Sequence, residues 1–448
     1  MKDVMKIRIA VPALLLTMIS ICQGQAVPAG GTTMTSLAAG PNFPTLDGIL
    51  HYSLSASEVI QNGYYGAGNV THSTGFSGNV SYTAKSQVLP FNLLVSSGFF
   101  LPNQEGQGST GYANMAVSQG YVTRRWVFNI SDSFSFLPQS PTTGLSGIPG
   151  VGDLGSTPVQ NPVSGPAGGV LTYAANRIGN TVNGSVERQI TRDTSFSGSG
   201  SWSKLYFLND NGNQDGGLDS SQVSGVVAVN RRLDARSSLS VNAVYSTFDF
   251  SGANAGVGEP DIESRGINLS YQRLLSRTLS VSFSGGPQWI SSSNSTYIPS
   301  SLNAAATASL GYSKGFTSAS IGYSHGVNAG SGVLPGAISD SIFLTVGHTF
   351  GRNWVASLNA GYSRSSGLTQ LTEEGSLIPI KEKYDSEFGG VQLTRRFSTH
   401  FSGYVSGAVQ NQTSNNPGFT EINAFSGTSE TFGVGITFTP RSTNLGQF

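Results

Sequence analysis

The chain has 448 residues, zero formal net charge and only 11% charged residues, against about 25% in ordinary soluble domains. With 24 basic and 24 acidic residues there is no basic excess for a nucleic-acid backbone. Hydrophobic residues at 38% and aromatics at 10% exclude the polar, highly charged make-up of a disordered chain.

In chain order, residues 1–26 read as a secretory signal. Lys2, Lys6 and Arg8 form a positive start, Ile9 to Ile21 an apolar stretch, and Gly24-Gln25-Ala26 the small residues of a cleavage site. The mature chain then starts near Val27. Cys22, the only cysteine, falls inside this signal, so no disulfide or thiolate site is expected. Residues 27–48, rich in Gly, Ala, Thr and Pro, read as a flexible periplasmic N-terminal segment. Beyond the N-terminus no apolar run reaches the roughly 18 residues of a membrane helix.

Past residue 50 a unit repeats: alternating strand, tight turn, alternating strand, long polar loop. The turns centre on Thr123-Arg124, Thr191-Arg192, Leu233-Asp234-Ala235-Arg236, Ser276-Arg277, Lys314-Gly315, Gly351-Arg352 and Ser398-Thr399. After the first interval, which holds a long insertion, they recur about every 40 residues, a spacing that propellers share. Alternation narrows the choice. Leu239, Val241, Ala243 and Tyr245 interleave with Ser238, Ser240, Asn242 and Ser246, and Trp354, Ala356, Leu358 and Ala360 with Ser357, Asn359 and Gly361. Leu279, Val281 and Phe283 alternate with Ser280, Ser282 and Ser284, as Ala319, Ile321 and Tyr323 do with Ser318, Ser320 and Gly322. One face is apolar, the other small and polar. The strands, about 10 to 13 residues long, match the 9–11 of a tilted strand crossing a bilayer and exceed the 5–6 usual in soluble proteins. Aromatics near strand ends (Trp126, Trp202, Tyr245, Trp289, Tyr323, Trp354 and Tyr362 among them) suit two membrane interfaces.

With its signal segment, this pattern over residues 50–440 and a last strand in which Phe432, Val434, Ile436 and Phe438 alternate with small residues, the chain resembles bacterial outer-membrane β-barrels of the porin-like type. The resemblance implies an all-β, antiparallel up-and-down transmembrane barrel over 49–440, placed in the outer membrane by the barrel-assembly machinery. That machinery reads an aromatic-ended closing strand. Here Pro440 to Gln447 interrupt the alternation before Phe448, leaving 441–448 as a short C-terminal tail. Strands counted around the turns number eighteen, with sixteen as the alternative. An even count puts both ends in the periplasm.

Zero net charge hides a separation. Twelve arginines flank the tight turns: Arg124, Arg125, Arg188, Arg192, Arg231, Arg232, Arg236, Arg273, Arg277, Arg352, Arg395 and Arg396. Acids such as Asp219, Asp249, Asp261, Glu263, Asp385 and Glu387 lie in or beside the long loops. A periplasmic basic ring of Arg124, Arg192, Arg236, Arg277, Arg352 and Arg395 then faces lipid phosphates. It anchors the barrel's edge or, together with the acidic outer rim facing lipopolysaccharide, also biases solute traffic. The expected lining is Ser240, Asn242, Ser280, Ser282, Ser320, Ser357 and Asn359, with Glu187 and Arg396 as its few charges. Such a lining suits small, hydrophilic, uncharged solutes diffusing passively, whereas ion-selective pores carry rings of one sign. A polysaccharide export conduit, or an adhesin or structural barrel whose loops bind partners, is the alternative. The Pro/Gly-rich insertion Pro138–Gly169 is either an inward constriction or an extracellular loop.

No cofactor or catalytic group is expected. The five histidines lack paired-ligand spacing, and His325 and His348 share the apolar phase. His51 and Ser53 share a strand face, with Asn79 as a third member, a set resembling outer-membrane phospholipases. Asn209 to Asp219 resembles the start of a calcium loop, but Gln222 stands where the bidentate Glu belongs.

Overall fold

The computed structural model describes residues 48–63, 70–103, 110–138, 176–208, 218–251, 261–295, 298–328, 334–369, 382–415 and 426–445. The expected signal, all but the last residue of the 27–48 segment, nearly all of the 138–169 insertion and most of the calcium-like loop lie outside these residues.

Among the described residues every regular element is a strand. They are β1 (Gly48–Asn62), β2 (Val70–Ala84), β3 (Phe91–Pro102), β4 (Thr110–Val122), β5 (Trp126–Pro138), β6 (Asn176–Gln189), β7 (Thr194–Leu208), β8 (Asp219–Arg232) and β9 (Ser237–Ser251). There follow β10 (Asp261–Leu274), β11 (Leu279–Ser291), β12 (Ser301–Lys314), β13 (Thr317–Asn328), β14 (Ala337–Phe350), β15 (Trp354–Gly367), β16 (Lys383–Arg396), β17 (Phe401–Ser414), β18 (Gly427–Phe438) and the short β19 (Thr443–Leu445). Each of β1–β17 pairs antiparallel with the next, and β18 closes on β1 from Leu54↔Phe438 to Asn62↔Glu430. The result is a closed, eighteen-strand, up-and-down barrel. All seven arginine-marked or polar turns are hairpin turns, and Lys85 to Pro90 forms an eighth.

The seam departs from simple alternation. The β1–β18 register ends at Leu54↔Phe438 and resumes at Leu50↔Thr443 in β19, so His51, Tyr52 and Ser53 face the four residues 439–442. One extra residue makes a bulge, and a bulge seats Pro440, which has no N–H to give a ladder. Part of the segment read as a tail is therefore strand.

The strands run 12 to 15 residues, longer than expected, because their upper ends rise beyond the apolar band. On the outward phase Val241, Leu269, Phe283, Val391 and Ile436 are each 50–57% exposed, the surface a barrel presents to hydrocarbon. Trp126 and Trp354 bound this band at the short-turn end, with Arg188 over the Trp126 ring at 5.0 Å and Arg395 over Trp354 at 5.1 Å. At the long-loop end the boundary is polar. Tyr245 donates to Glu263 (3.2 Å), Tyr323 to Asp340 (2.8 Å) and Tyr362 to Asp385 (2.5 Å). Arg265 pairs with Glu263 at 2.5 Å, His325 with Asp340 at 2.8 Å and Arg364 with Asp385 at 3.2 Å. From Trp354 to Tyr362 is a rise of about 20 Å, at about 3.3 Å per residue and a tilt near 40°. Asp132 is the exception between the belts. It is in phase with Ile130 and Phe134, lies half-buried in the wall and is paired with Val117 and Val182.

The turns show why the chain reverses where it does. Gly315, at φ +57°, opens the two-residue loop between Lys314 and Thr317, and Gly351, at φ +61°, the three-residue loop between Phe350 and Trp354. In the β8–β9 turn, Asp234 accepts from Ser237 Oγ at 2.7 Å and from the Arg236 N–H at 2.6 Å. Those bonds hold its carboxyl below the usual carboxylate range, the Ser237 hydroxyl contributing most. A depressed carboxyl stabilises the fold at neutral pH, and that share is lost as pH falls through the lowered value. The unfolding midpoint of Asp234→Ala should lie below the parent's at pH 7 and converge with it in an acid series once the pH falls beneath the ordinary carboxylate range.

Candidate functional site

The site is the inward face of the barrel. Because side chains alternate across a strand, the residues out of phase with the exposed apolar wall point into it. Ser240, Asn242, Ser280, Ser282, Ser320, Ser357 and Asn359 all have that phase, and so do Glu187 and Arg396. Their short polar groups bond to one another within and across strands. Ser240 donates to Asn242 Oδ1 (2.6 Å), Asn242 Nδ2 to Ser270 (2.8 Å), and Ser270 meets Ser284 (2.7 Å). Ser282 meets Ser309 at 2.6 Å, Ser320 meets Thr345 at 2.6 Å, and Ser280 donates to the Gly311 carbonyl at 3.5 Å. The wall thus satisfies much of its own polarity and presents dipoles rather than charges.

An apolar wall outside, a hydrogen-bonded polar wall inside and closure over eighteen strands are together the features of a membrane barrel. The architecture is that of a porin-like outer-membrane barrel. No family model and no curated protein sequence matches the chain. Among solved structures it is similar to OccK2 (OpdF) of Pseudomonas aeruginosa, with a TM-score of 0.41 and 10% identity over 89% of this chain and 98% of that one. It is also similar to the outer membrane protein opdK of the same organism, with a TM-score of 0.40 and 9% identity over 88% and 99%. The siderophore receptor PirA of Acinetobacter baumannii gives 0.39 and 8% over 87% and 80%. At such scores a superposition says nothing about cargo.

Two features of this barrel's interior escaped the sequence reading. The first is a set of inward aromatic rings lying over glycines of the neighbouring strand. Phe100 covers Gly75, Tyr112 Gly98, Phe343 Gly322, Phe388 Gly361 and Tyr404 Gly435. A Cβ on Gly98 or Gly435 would come within 2.6 Å of the covering tyrosine's hydroxyl. The second is an apolar roof at the long-loop end. Phe248, Phe250, Ile262 and Ile290 keep the inward phase of Ser240 and Asn242, and they pack with Leu218, Ile298 and Leu368 from the loops into one buried cluster. Gly336 of the β13–β14 loop packs against Ile262 of β10 and accepts from the Leu368 N–H at 3.1 Å. β10 and β14 stand four strands apart, about 19 Å around the wall, so the described end of this loop, residues 334–336, reaches inward across the mouth. The phase of Phe248 and Phe250 was the available signal.

The other candidates resolve as follows. Arg124, Arg192, Arg236, Arg277 and Arg352 sit in the short turns, and Arg395 is the last residue but one of β16, beside Trp354 and Phe397. Asn79 donates to Ser53 Oγ at 3.4 Å, and His51 shares their face. That face is the interior, away from the lipid a phospholipase would need to reach. His325 and His348 point outward, His348 towards Thr317 at 2.7 Å. Asp219, the described end of the calcium-like loop, accepts from the Phe207 N–H at 2.8 Å. No cluster of three or more His, Cys, Asp or Glu suited to a metal ion occurs among the described residues.

Proposed function

We propose that the barrel is a passive channel for small, hydrophilic, uncharged solutes across the bacterial outer membrane. The observation that carries this reading is the inward face, a ladder of Ser, Asn and Thr bonded to one another, with few charges, among them Glu187, Arg232 and Arg396. Barrels of sixteen to eighteen strands are wide enough for water. Hydroxyls and amides exchange hydrogen bonds with a neutral polar solute at little net cost, and diffusion needs no catalytic group. In this reading the short turns face the periplasm, with the basic ring of Arg124, Arg192, Arg236, Arg277, Arg352 and Arg395 at phospholipid phosphates. The long loops face outward among lipopolysaccharide. Residues 1–26 export the chain, and the barrel-assembly machinery inserts it.

Purified barrel in planar bilayers should give stepwise conductance, with a reversal potential near zero in a salt gradient. Liposomes carrying it should swell in small neutral sugars. A sealed bilayer, or a reversal potential at the limit for one ion sign, would overturn the proposal.

A further inference from the structure

The inner wall is not the same all the way round. On β5–β7 it is built of small side chains: Asn129, Ser131, Ser133 and Ser135 on β5, and a serine at every inward position of β7 from Ser195 to Ser203. Here Asn129, Ser133, Ser185 and Ser199 are exposed, as is Glu187, the carboxylate of this arc. On β15–β18 equally small polar side chains are shut off from solvent. Ser365, Ser386 and Gln412 are 0% exposed, and Ser406, near mid-height, only 5%. The difference follows from the rings. Phe343, Tyr384, Phe388 and Tyr404 all point inward from β14–β17, whereas β5–β7 carry no inward ring below Phe207 near the top of β7. Bulk on one side of a closed wall displaces the open space towards the other.

Building on the channel reading above, we infer that the solute path runs off the barrel axis, against β5–β7, with Ser133, Ser185, Glu187 and Ser199 along it. The β15–β18 side is structural packing. Solutes then meet hydroxyls, the amides of Asn129 and Asn183 and the Glu187 carboxylate, and never the opposite wall. Glu187 is the described carboxylate of this arc through which charge discrimination would act, which gives the path a mild preference for cations over anions when ions are offered.

The test uses the full chain with Cys22→Ser, so that each introduced thiol is the only one. Ser185→Cys and Ser199→Cys, on the open arc, are compared with Ser386→Cys and Ser406→Cys, on the closed one. Each is treated with a membrane-impermeant, positively charged methanethiosulfonate. Thiol reactivity follows access, so the first pair should be modified at least about tenfold faster by mass spectrometry, and modification should lower single-channel current. Glu187→Gln should lower the cation-to-anion permeability ratio. Equal labelling on both arcs, or current block from the β15–β18 positions alone, would overturn the off-axis path. A barrel that labels asymmetrically yet carries no current would instead overturn the channel reading and leave the asymmetry standing, so the two failures are distinguishable.

Discussion

Replacing Gly286 by alanine should strongly destabilise the barrel, whereas the same change at Gly184 should be harmless or mildly stabilising. Both glycines lie within strands. The difference is what stands beside them. In β11, Pro287 has no N–H for the ladder, and the β10–β11 pairing runs from Gly266↔Gln288 to Leu269↔Gly285 with no pair formed by Gly286 or Pro287 in between. The two backbones close on each other there. A Cβ on Gly286 would overlap the Ile267 carbonyl oxygen and come within 2.8 Å of Asn268 Oδ1. Backbone cannot rotate away as the end of a side chain can, so the cost is at the upper end of overpacking, about 3 kcal/mol. Around Gly184 nothing lies within 4 Å of the added atom, and alanine removes the entropic penalty of a strand glycine, roughly 0.5–1 kcal/mol. Denaturant unfolding of the two variants in lipid, read by heat-modifiable gel mobility, checks this. Equal midpoints would mean that the β10–β11 approach is not as tight as the geometry states.

That contrast marks the limit of what the sequence could tell. Strand number, antiparallel order and the positions of seven of the eight tight turns follow from period-two alternation and from turn residues, because both are local properties of the chain. The inward phase of Ser240, Asn242, Ser280 and Ser357 is local in the same sense. The apolar roof is not. Phe250 and Ile262 read individually as breaks in a polar phase, and only closure of the barrel brings Leu218, Ile298 and Leu368 from separate loops onto them. The rings over glycines are likewise pairings between strands: Tyr404 and Gly435 are cross-strand neighbours, and no pattern within either strand announces the other. Register at the seam escaped for a related reason. Pro440 reads as a stop, and only the facing strand β1 reveals it as a bulge that the ladder passes.

Phe250→Ala should open the mouth and raise single-channel conductance while leaving the barrel folded. Phe250 is 1% exposed, and Ile262, its partner in the roof, is 0% exposed. Truncating a buried phenylalanine costs about 3–5 kcal/mol where the cavity stays open, and less where the surroundings collapse. Here the cost falls on a local contact. The β1–β18 ladder that holds the barrel does not depend on it, and the inward segments are tied to each other through Leu368 N–H to Gly336 O (3.1 Å) and Gly367 N–H to Glu382 O (2.9 Å). What Phe250 supplies is the seat that keeps those tied segments against β9 and β10. Without it, apolar surface that had been packed is hydrated, the hold on Gly336 and Leu368 weakens, and a constriction that excludes water becomes one that water enters. Phe283→Ala is the control, because Phe283 is 53% exposed on the lipid-facing phase and touches no part of the roof. Its variant should conduct as the parent does. If Phe250→Ala and Phe283→Ala both conduct like the parent, with unfolding midpoints unchanged, the roof does not bound the path. The narrowest point then lies lower in the barrel, among the rings of Tyr112, Phe388 and Tyr404.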